Sequence, residues 1–472
     1  LLLSPLLLLL PPSTIGDKPQ QVHLALTKRQ RELTATWVTF EPEESELHFR
    51  SLTKPFSTTV VGSRTTFVNS ANVTRFVHRA LMTDLEPGAS YIYQVGSGFN
   101  VSREFVFTAL AAHPPYRVCI FGDLGVENGE SIPSLIAEAD KRSFDLIIHV
   151  GDIAYDLGAD GGRVGDKFMT MLEPLFASVP YMVIAGNHEE EWGTNFSSYR
   201  ALFTMPDEGY GDNQFYSFDL GPIHFVGVST EFYGYYYAYG MEPVLTQYAW
   251  LKKDLEAHAA QRVSLPWLIS FQHRPFYCSN DNSHECASFE NRLVRTGFLN
   301  MPGLEPLYEA VKMDISFWGH EHSYERFFPR TNTSKPNPYH DADGPTYIIS
   351  GSAGCHSGYA TFAPKPVPFS AKRINDYGYS LLHVYNSTHI FLEQISVEKS
   401  GAVVDSAWLT KSPERIESYR TQKSNLAKLS TNGATAVSQE TEELSLRIAY
   451  SFDPQCHPRD IICQRTLTQV NM

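Results

Sequence analysis

The sequence predicts an α/β protein of two parts, a small β-sandwich followed by a larger domain in which strands and helices alternate. Three features point there. The chain has 472 residues with 42% hydrophobic and 13% aromatic content, too long for one small core. From Gln21 to Thr108 its apolar residues fall in short alternating or β-branched runs without helical periodicity. From Tyr116 onward, continuous apolar runs alternate with segments of helical period, the pattern of a layered α/β domain with buried strands.

The first ten residues are nearly all leucine, broken by Ser4 and Pro5 and followed by Pro11 and Pro12. That run is shorter than the ~20 apolar residues a spanning helix needs, and its prolines oppose helix continuation. Residues 1–16 therefore read as the remnant of a secretory signal peptide, and no later stretch is apolar enough to span a membrane. The sandwich is expected over residues 18–112, with runs such as Glu32 to Phe40, Ser63 to Val68 and Ser90 to Val95 as strands. Its length suits an immunoglobulin-like or fibronectin-like module of about 90 residues. Ala111 to Pro115 supplies a linker.

The second domain is expected over residues 113–410. Its strand candidates are Tyr116 to Phe121, Phe144 to Val150, Tyr181 to Ala185, Val263 to Phe271 and Ile315 to Trp318. Ile132, Leu135, Ile136 and Ala139 share one helical face, as do Leu304, Leu307, Tyr308 and Val311. The segments Gln214 to Ser229 and Tyr379 to Ile395 read as antiparallel hairpins. From Lys411 the chain turns polar without an apolar period, so residues 411–472 are expected to be a tail, partly disordered.

What ends the strands is more informative than the strands. The apolar runs stop at Gly122-Asp123-Leu124-Gly125, Gly151-Asp152-Ile153-Ala154-Tyr155, Gly186-Asn187-His188-Glu189, Gln272-His273-Arg274-Pro275 and Gly319-His320-Glu321-His322. Open α/β sheets bind ligands beyond the carboxyl ends of their strands, so these clusters are expected to share one crevice. Carboxylates, imidazoles, an amide and a phenol suit iron, zinc or manganese better than calcium, and the cysteines are not arranged as metal ligands. With 31 glycines and 17 histidines in the chain, Gly-His-x-His is expected by chance only about 0.04 times, a low false-positive level for a short motif.

The ordered set GDLG, GDIAY, GNHE, QHRP and GHEH resembles the purple acid phosphatases of the calcineurin-like metallophosphoesterase superfamily, with the resemblance covering roughly Lys18 to Thr410. It implies a fibronectin-like N-terminal domain and a four-layer α/β/β/α catalytic domain. It further implies one metal, ferric iron, held by Asp123, Asp152, Tyr155 and His322. A divalent metal (zinc, iron or manganese) would take Asp152, Asn187, His273 and His320, one of each ion per subunit, with Asp152 bridging. Related phosphatases resemble Gly-Asp-x-His in the first motif; here that place is Gly125, and Tyr155 is the compensating ligand. The implied activity is acid hydrolysis of phosphate monoesters by a metal-bound hydroxide. His188 would orient the phosphate or protonate the leaving alcohol, with Asn187 helping to hold it. The loop Cys278 to Cys286 departs from the plant pattern, and His284 within it is a candidate substrate contact.

The remaining features bound the function. A net charge of −14 argues against nucleic acid or anionic membrane as a partner, leaving small phosphate esters or phosphoproteins; the oligomeric state is not readable. Asn-x-Ser/Thr sequons begin at Asn72, Asn100, Asn195, Asn332 and Asn386, consistent with N-glycans and a secreted or lysosomal location. Six cysteines permit disulfides; Cys278 with Cys286 is the expected local pair, and Cys119 a buried free thiol. The aromatic run Tyr233 to Tyr239 reads as packing beside the site, and Cys456-His457 with Cys463 is too weak a pattern for metal. The alternatives are a phosphodiesterase or nucleotide pyrophosphatase on the same site, or a non-catalytic secreted glycoprotein.

Overall fold

The computed structural model describes residues 18–420, apart from positions 56, 192, 211, 282–284, 331–335 and 356. The N-terminal part is a sandwich of two antiparallel sheets. One is ordered Gln20–Leu26, Leu33–Thr39, Thr74–Met82, Ser63–Val68; the other runs Thr58–Val61, Glu46–Ser51, Ser90–Ser97, with Phe105–Thr108 also paired to Ser90–Ser97. Alternation sets the faces: Tyr91, Tyr93 and Val95 point inward from one strand. Trp37 stacks on His78 with ring centroids 5.2 Å apart. The His78 nitrogens are met by Thr39 and Ser45 hydroxyls at 2.8 Å, so burying the ring leaves no imidazole nitrogen orphaned.

The sandwich is more than an appendage on a linker. Arg75, almost fully buried, reaches across to Asp166 with two hydrogen bonds of 2.9 and 2.7 Å and to the Gly161 carbonyl at 2.9 Å. Tyr93 donates to the Ala177 carbonyl at 2.8 Å. A buried bidentate pair of this kind specifies geometry, and removing one partner strands the other charge.

The second domain holds two sheets packed face to face. The first is ordered Tyr181–Val183, Leu146–His149, Tyr116–Phe121, Gly378–Val384, His389–Ser396, Ala402–Thr410, and its first three strands are parallel. The second is ordered Tyr216–Leu220, Ile223–Gly227, Trp267–Phe271, Ile315–Trp318, Thr346–Ser350, Tyr324–Phe327, Ser370–Ile374, with a parallel centre. Neighbouring residues on its strands serve different cores. Phe225, Ile269, Phe317 and Ile348 face the inter-sheet core. Val226, Leu268, Trp318 and Ile349 pack with the helix residues Leu251, Leu293 and Leu307. Burial on both faces explains why these strands read as unbroken apolar runs. Helices Ile132–Asp140 and Arg163–Met171 belong to the first sheet's side, and Glu242–Ala259, Phe289–Thr296 and Glu305–Ala310 to the second's. The architecture is thus helix, sheet, sheet, helix.

One expectation changes. The tail does not begin at Lys411: its side chain is buried, donating to Asp314 at 2.5 Å and to the Pro266 carbonyl at 2.8 Å, and helix Pro413–Ser418 follows. Those partners lie far off in sequence, so a lysine in a polar stretch carried no local sign of burial. The signal remnant at residues 1–16, the rest of the tail, His284, Asn332, Cys456 and Cys463 lie outside the described residues. Cys278 and Cys286 form a disulfide, while Cys119 and Cys355 are free and buried. No helix among the described residues is long and apolar enough to cross a membrane.

Candidate metal centre

The five motif loops meet, and they arrive from both sheets of the layered domain. Asp123, Asp152 with Tyr155, and Asn187 with His188 follow strands Tyr116–Phe121, Leu146–His149 and Tyr181–Val183 of the first sheet. His273 follows Trp267–Phe271, and His320 and His322 follow Ile315–Trp318 of the second. The centre therefore sits where the carboxyl ends of both parallel cores converge.

The backbone pays conformationally for this convergence. Asp123, Asp152, Tyr155 and His320 all have left-handed φ, between 52° and 70°, a region that is unfavourable for residues with a Cβ and found where surrounding structure over-determines it. Glycines make the close approach feasible. A Cβ on Gly186 would lie 2.3 Å from Asp152 Oδ1, and one on Gly319 would lie 2.7 Å from Asp123 Oδ2.

Asn187 Oδ1 lies 3.0 Å from His273 Nε2 and 2.9 Å from His320 Nδ1, and those two nitrogens are 3.2 Å apart. Asp152 Oδ1 is 3.4 Å from His273 Nε2. On the other side, Tyr155 Oη is 3.1 Å from His322 Nε2, which is 3.5 Å from Asp123 Oδ1. The seven residues expected as metal ligands thus gather in two adjoining sets, with Asp152 in the first and its loop carrying Tyr155 into the second.

The donor set fits cations. Asp123 Oδ1 is buried and makes no hydrogen bond among the described residues, an arrangement that is costly unless a positive group faces it. Ligand atoms of Asp152, His273 and His320 lie within 4.8 Å of one another. The His273 Nδ1–H donates to the Val150 carbonyl at 2.9 Å, which fixes the tautomer that leaves Nε2 facing the centre. Burial alone would lower the His273 pKa, but the Asp152 carboxylate, with Asp123 behind it, overrides this and pushes it up to about 10. Burial, reinforced by Asp123 and Asp152, holds the Tyr155 phenol well above its ordinary range. A site that draws a proton onto one group and suppresses ionisation of another is short of positive charge.

Supporting groups came only partly from the sequence. Glu189, quoted in the third motif without a role, is fully buried and accepts the backbone N–H groups of Asp152, Ile153 and Gly186 at 2.9, 2.9 and 2.8 Å. It clamps two ligand loops together. Burial, with Asp152 nearby, pushes its pKa up to about 8. His188 donates its backbone N–H to Asp152 Oδ1 at 3.0 Å, and its Nδ1 lies 3.1 Å from Asp156 Oδ1. Its ring meets Tyr155 edge-on with centroids 4.6 Å apart. Asp156 was missed because a carboxylate after a tyrosine carries no pattern of its own. Tyr235 of the aromatic run donates to the Asn187 carbonyl at 3.2 Å, which makes that run a brace for the site.

Comparison with known proteins finds relatives over most of the chain. Residues 19–109 match the purple acid phosphatase N-terminal domain, 116–324 the calcineurin-like phosphoesterase family, and 344–406 the iron/zinc purple acid phosphatase-like protein C family. The chain is 40% identical to mouse acid phosphatase type 7, over 83% of this chain and 91% of that protein. With the human protein of the same name it shares 41% identity at the same coverage. Among solved structures it resembles purple acid phosphatase PPD1 from yellow lupin seeds, with TM-score 0.73 and 26% identity, over 85% of this chain and 76% of that one.

Proposed function

Since the chain belongs to the purple acid phosphatases, enzymes with a dinuclear metal centre acting on phosphate esters, we propose that it is an acid phosphatase of small phosphate monoesters using ferric iron and one divalent ion. Asp123, Asp152, Tyr155 and His322 would hold the iron; Asp152, Asn187, His273 and His320 would hold zinc, iron or manganese. The observation that carries this reading is the convergence of Asn187 Oδ1, His273 Nε2 and His320 Nδ1 within 3.2 Å beside an orphaned buried carboxylate oxygen. All seven ligand positions are filled by competent side chains, which speaks against a decayed, non-catalytic glycoprotein.

When bound, two such cations neutralise phosphoryl oxygens, align the ester for in-line attack and lower the pKa of bound water. The protein's own groups do the rest. Val150 and Glu189 keep His273 and the Asp152 loop in place, so the ligands need little reorganisation during turnover. His188, with Nδ1 directed at Asp156, presents Nε2 for protonating the departing alkoxide. Asn187 would help to hold the phosphate.

Secretion or lysosomal delivery, following a cleaved signal, belongs to the same proposal. Its support is the leucine-rich start and the sequons. Asn72, Asn195 and Asn386 are exposed, while the half-buried Asn100 amide donates to Glu43 at 2.8 Å and is the poorer acceptor of a glycan.

Metal analysis combined with a pH profile on a chromogenic monoester tests the reading. The expected result is two metals per chain, one of them iron, an acid optimum, and a visible absorption band that Tyr155→Phe abolishes. A colourless protein that is active with two divalent ions would remove the ferric assignment and leave the phosphatase.

A further inference from the structure

Cys355 has no place in the chemistry above, yet its surroundings are built around it. It is fully buried and free, and its φ of 79° lies in the left-handed region, which a cysteine occupies only under constraint. The constraints are visible. Its backbone N–H donates to the Leu124 carbonyl at 3.0 Å, beside Asp123, and its carbonyl accepts from Asn128 Nδ2 at 2.7 Å. So held, the sulfur lies 3.0 Å from His322 Nδ1 and 3.3 Å from Nε2, and it neighbours the Tyr155 phenol. The Ser357 N–H points at it from 3.4 Å.

We infer that Cys355 is a positioning residue for the half of the centre formed by Asp123, Tyr155 and His322: its sulfur shares the His322 Nδ1–H with the Gly358 carbonyl, 3.1 Å away, and seats the ring with Nε2 toward the metal. The buried Asp123 Oδ1, which makes no hydrogen bond among the described residues and faces the same histidine from 3.5 Å, is the independent sign that this pocket is shaped for a cation. Without the sulfur, His322 Nδ1 would keep the Gly358 carbonyl at 3.1 Å and the more distant, exposed Ser357 hydroxyl at 3.4 Å; the sulfur limits rotation about χ2 and adds a polarisable neighbour, raising the basicity of the bound face.

The inference rests on the dinuclear reading but not on the identity of the ion. The test is chelator-driven metal release from fully loaded protein, followed by metal mass spectrometry, in wild type, Cys355→Ser, Cys355→Ala and, as a control at the other free thiol, Cys119→Ala. Tyr155→Phe marks which release phase belongs to this half. Cys355→Ala is expected to release that metal about 10–100-fold faster and to shift the visible band, leaving the other phase unchanged. Cys355→Ser, whose hydroxyl also accepts the N–H, should stay within about threefold of wild type. If Cys355→Ala fails to fold, Cys355→Gly removes the sulfur while relieving the left-handed strain. Unchanged release from the sulfur-free variant overturns the inference, as does equal acceleration of both phases with a lowered unfolding temperature. A wild type without iron refutes the ferric assignment alone, since the release phases remain readable.

Discussion

Around His273 and His320 the ligand atoms crowd together within 4.8 Å with Asp152, and His273 is completely buried and pinned by the carbonyl of Val150, at the end of a neighbouring strand run. Around Tyr155 the arrangement is looser. His322 is partly exposed, and its Nδ1 partners, Gly358 and Cys355, come from a loop more than thirty positions onward. One half of the centre is thus shaped by strand ends, which the core holds rigidly, and the other by a loop folded back over them. The difference teaches that the two proposed halves of the centre, adjoining at Asp152, need not share one source of rigidity, and that they should fail in different ways.

The largest expected effect removes the distinction altogether. Asp152→Asn takes away the carboxylate common to both halves, so both metals should bind weakly and turnover should fall on the order of 10³-fold, the several kcal/mol that paired cations supply. Retention of both metals at wild-type affinity would show that the halves are independent.

His188→Ala is expected to cost about 10²-fold in kcat with metal content intact. Asp156→Asn should cost less, and both should slow alkyl phosphates more than nitrophenyl phosphate, because poor leaving groups depend most on proton donation. A uniform loss across leaving groups would assign His188 to phosphate binding instead.

Glu189→Gln sharpens the comparison from the other direction. It retains the volume but weakens the clamp on the Asp152 and Gly186 backbones, so the His273 side should lose metal affinity about tenfold while the Tyr155 band moves little.

The smallest effect is seen in the metal-free protein. A His273 pKa raised from 6.5 to about 10 means stability fully present below pH 6.5 and lost as pH climbs toward 10. A Glu189 pKa raised from 4.5 to about 8 acts in the same direction, since the folded state holds its proton longer between those values. The unfolding temperature of the metal-free protein should therefore decline from about pH 6 to pH 10, while the loaded protein stays level across that window. Parallel curves for the two forms would show that proton and metal do not compete at this half.

The proposed ligand set was legible because catalytic chemistry demands particular atoms at strand ends, and strand ends show in the sequence as apolar runs stopping at Gly-Asp, Gly-Asn-His or Gly-His-Glu-His. The sandwich was legible from period-2 alternation around Trp37 and Tyr93. Glu189, Asp156, Cys355 and Lys411 were not legible as to role. Each acts through a partner distant in sequence or through a backbone N–H, and neither kind of partner leaves a mark on residue type. The join of the domains through Arg75 and Asp166 was invisible for the same reason.

Residue order alone determined which groups are available for chemistry, which faces of which segments are apolar, and that the chain divides into a sandwich and a layered domain, since these follow from local periodicity and side-chain type. Only the tertiary structure decided that five loops meet from two sheets, that left-handed residues and glycines let their side chains approach closely, and that a buried thiol lies against His322. Those are matters of distance across the fold, and distance between remote segments is set by how two sheets pack, not by any short stretch of the chain.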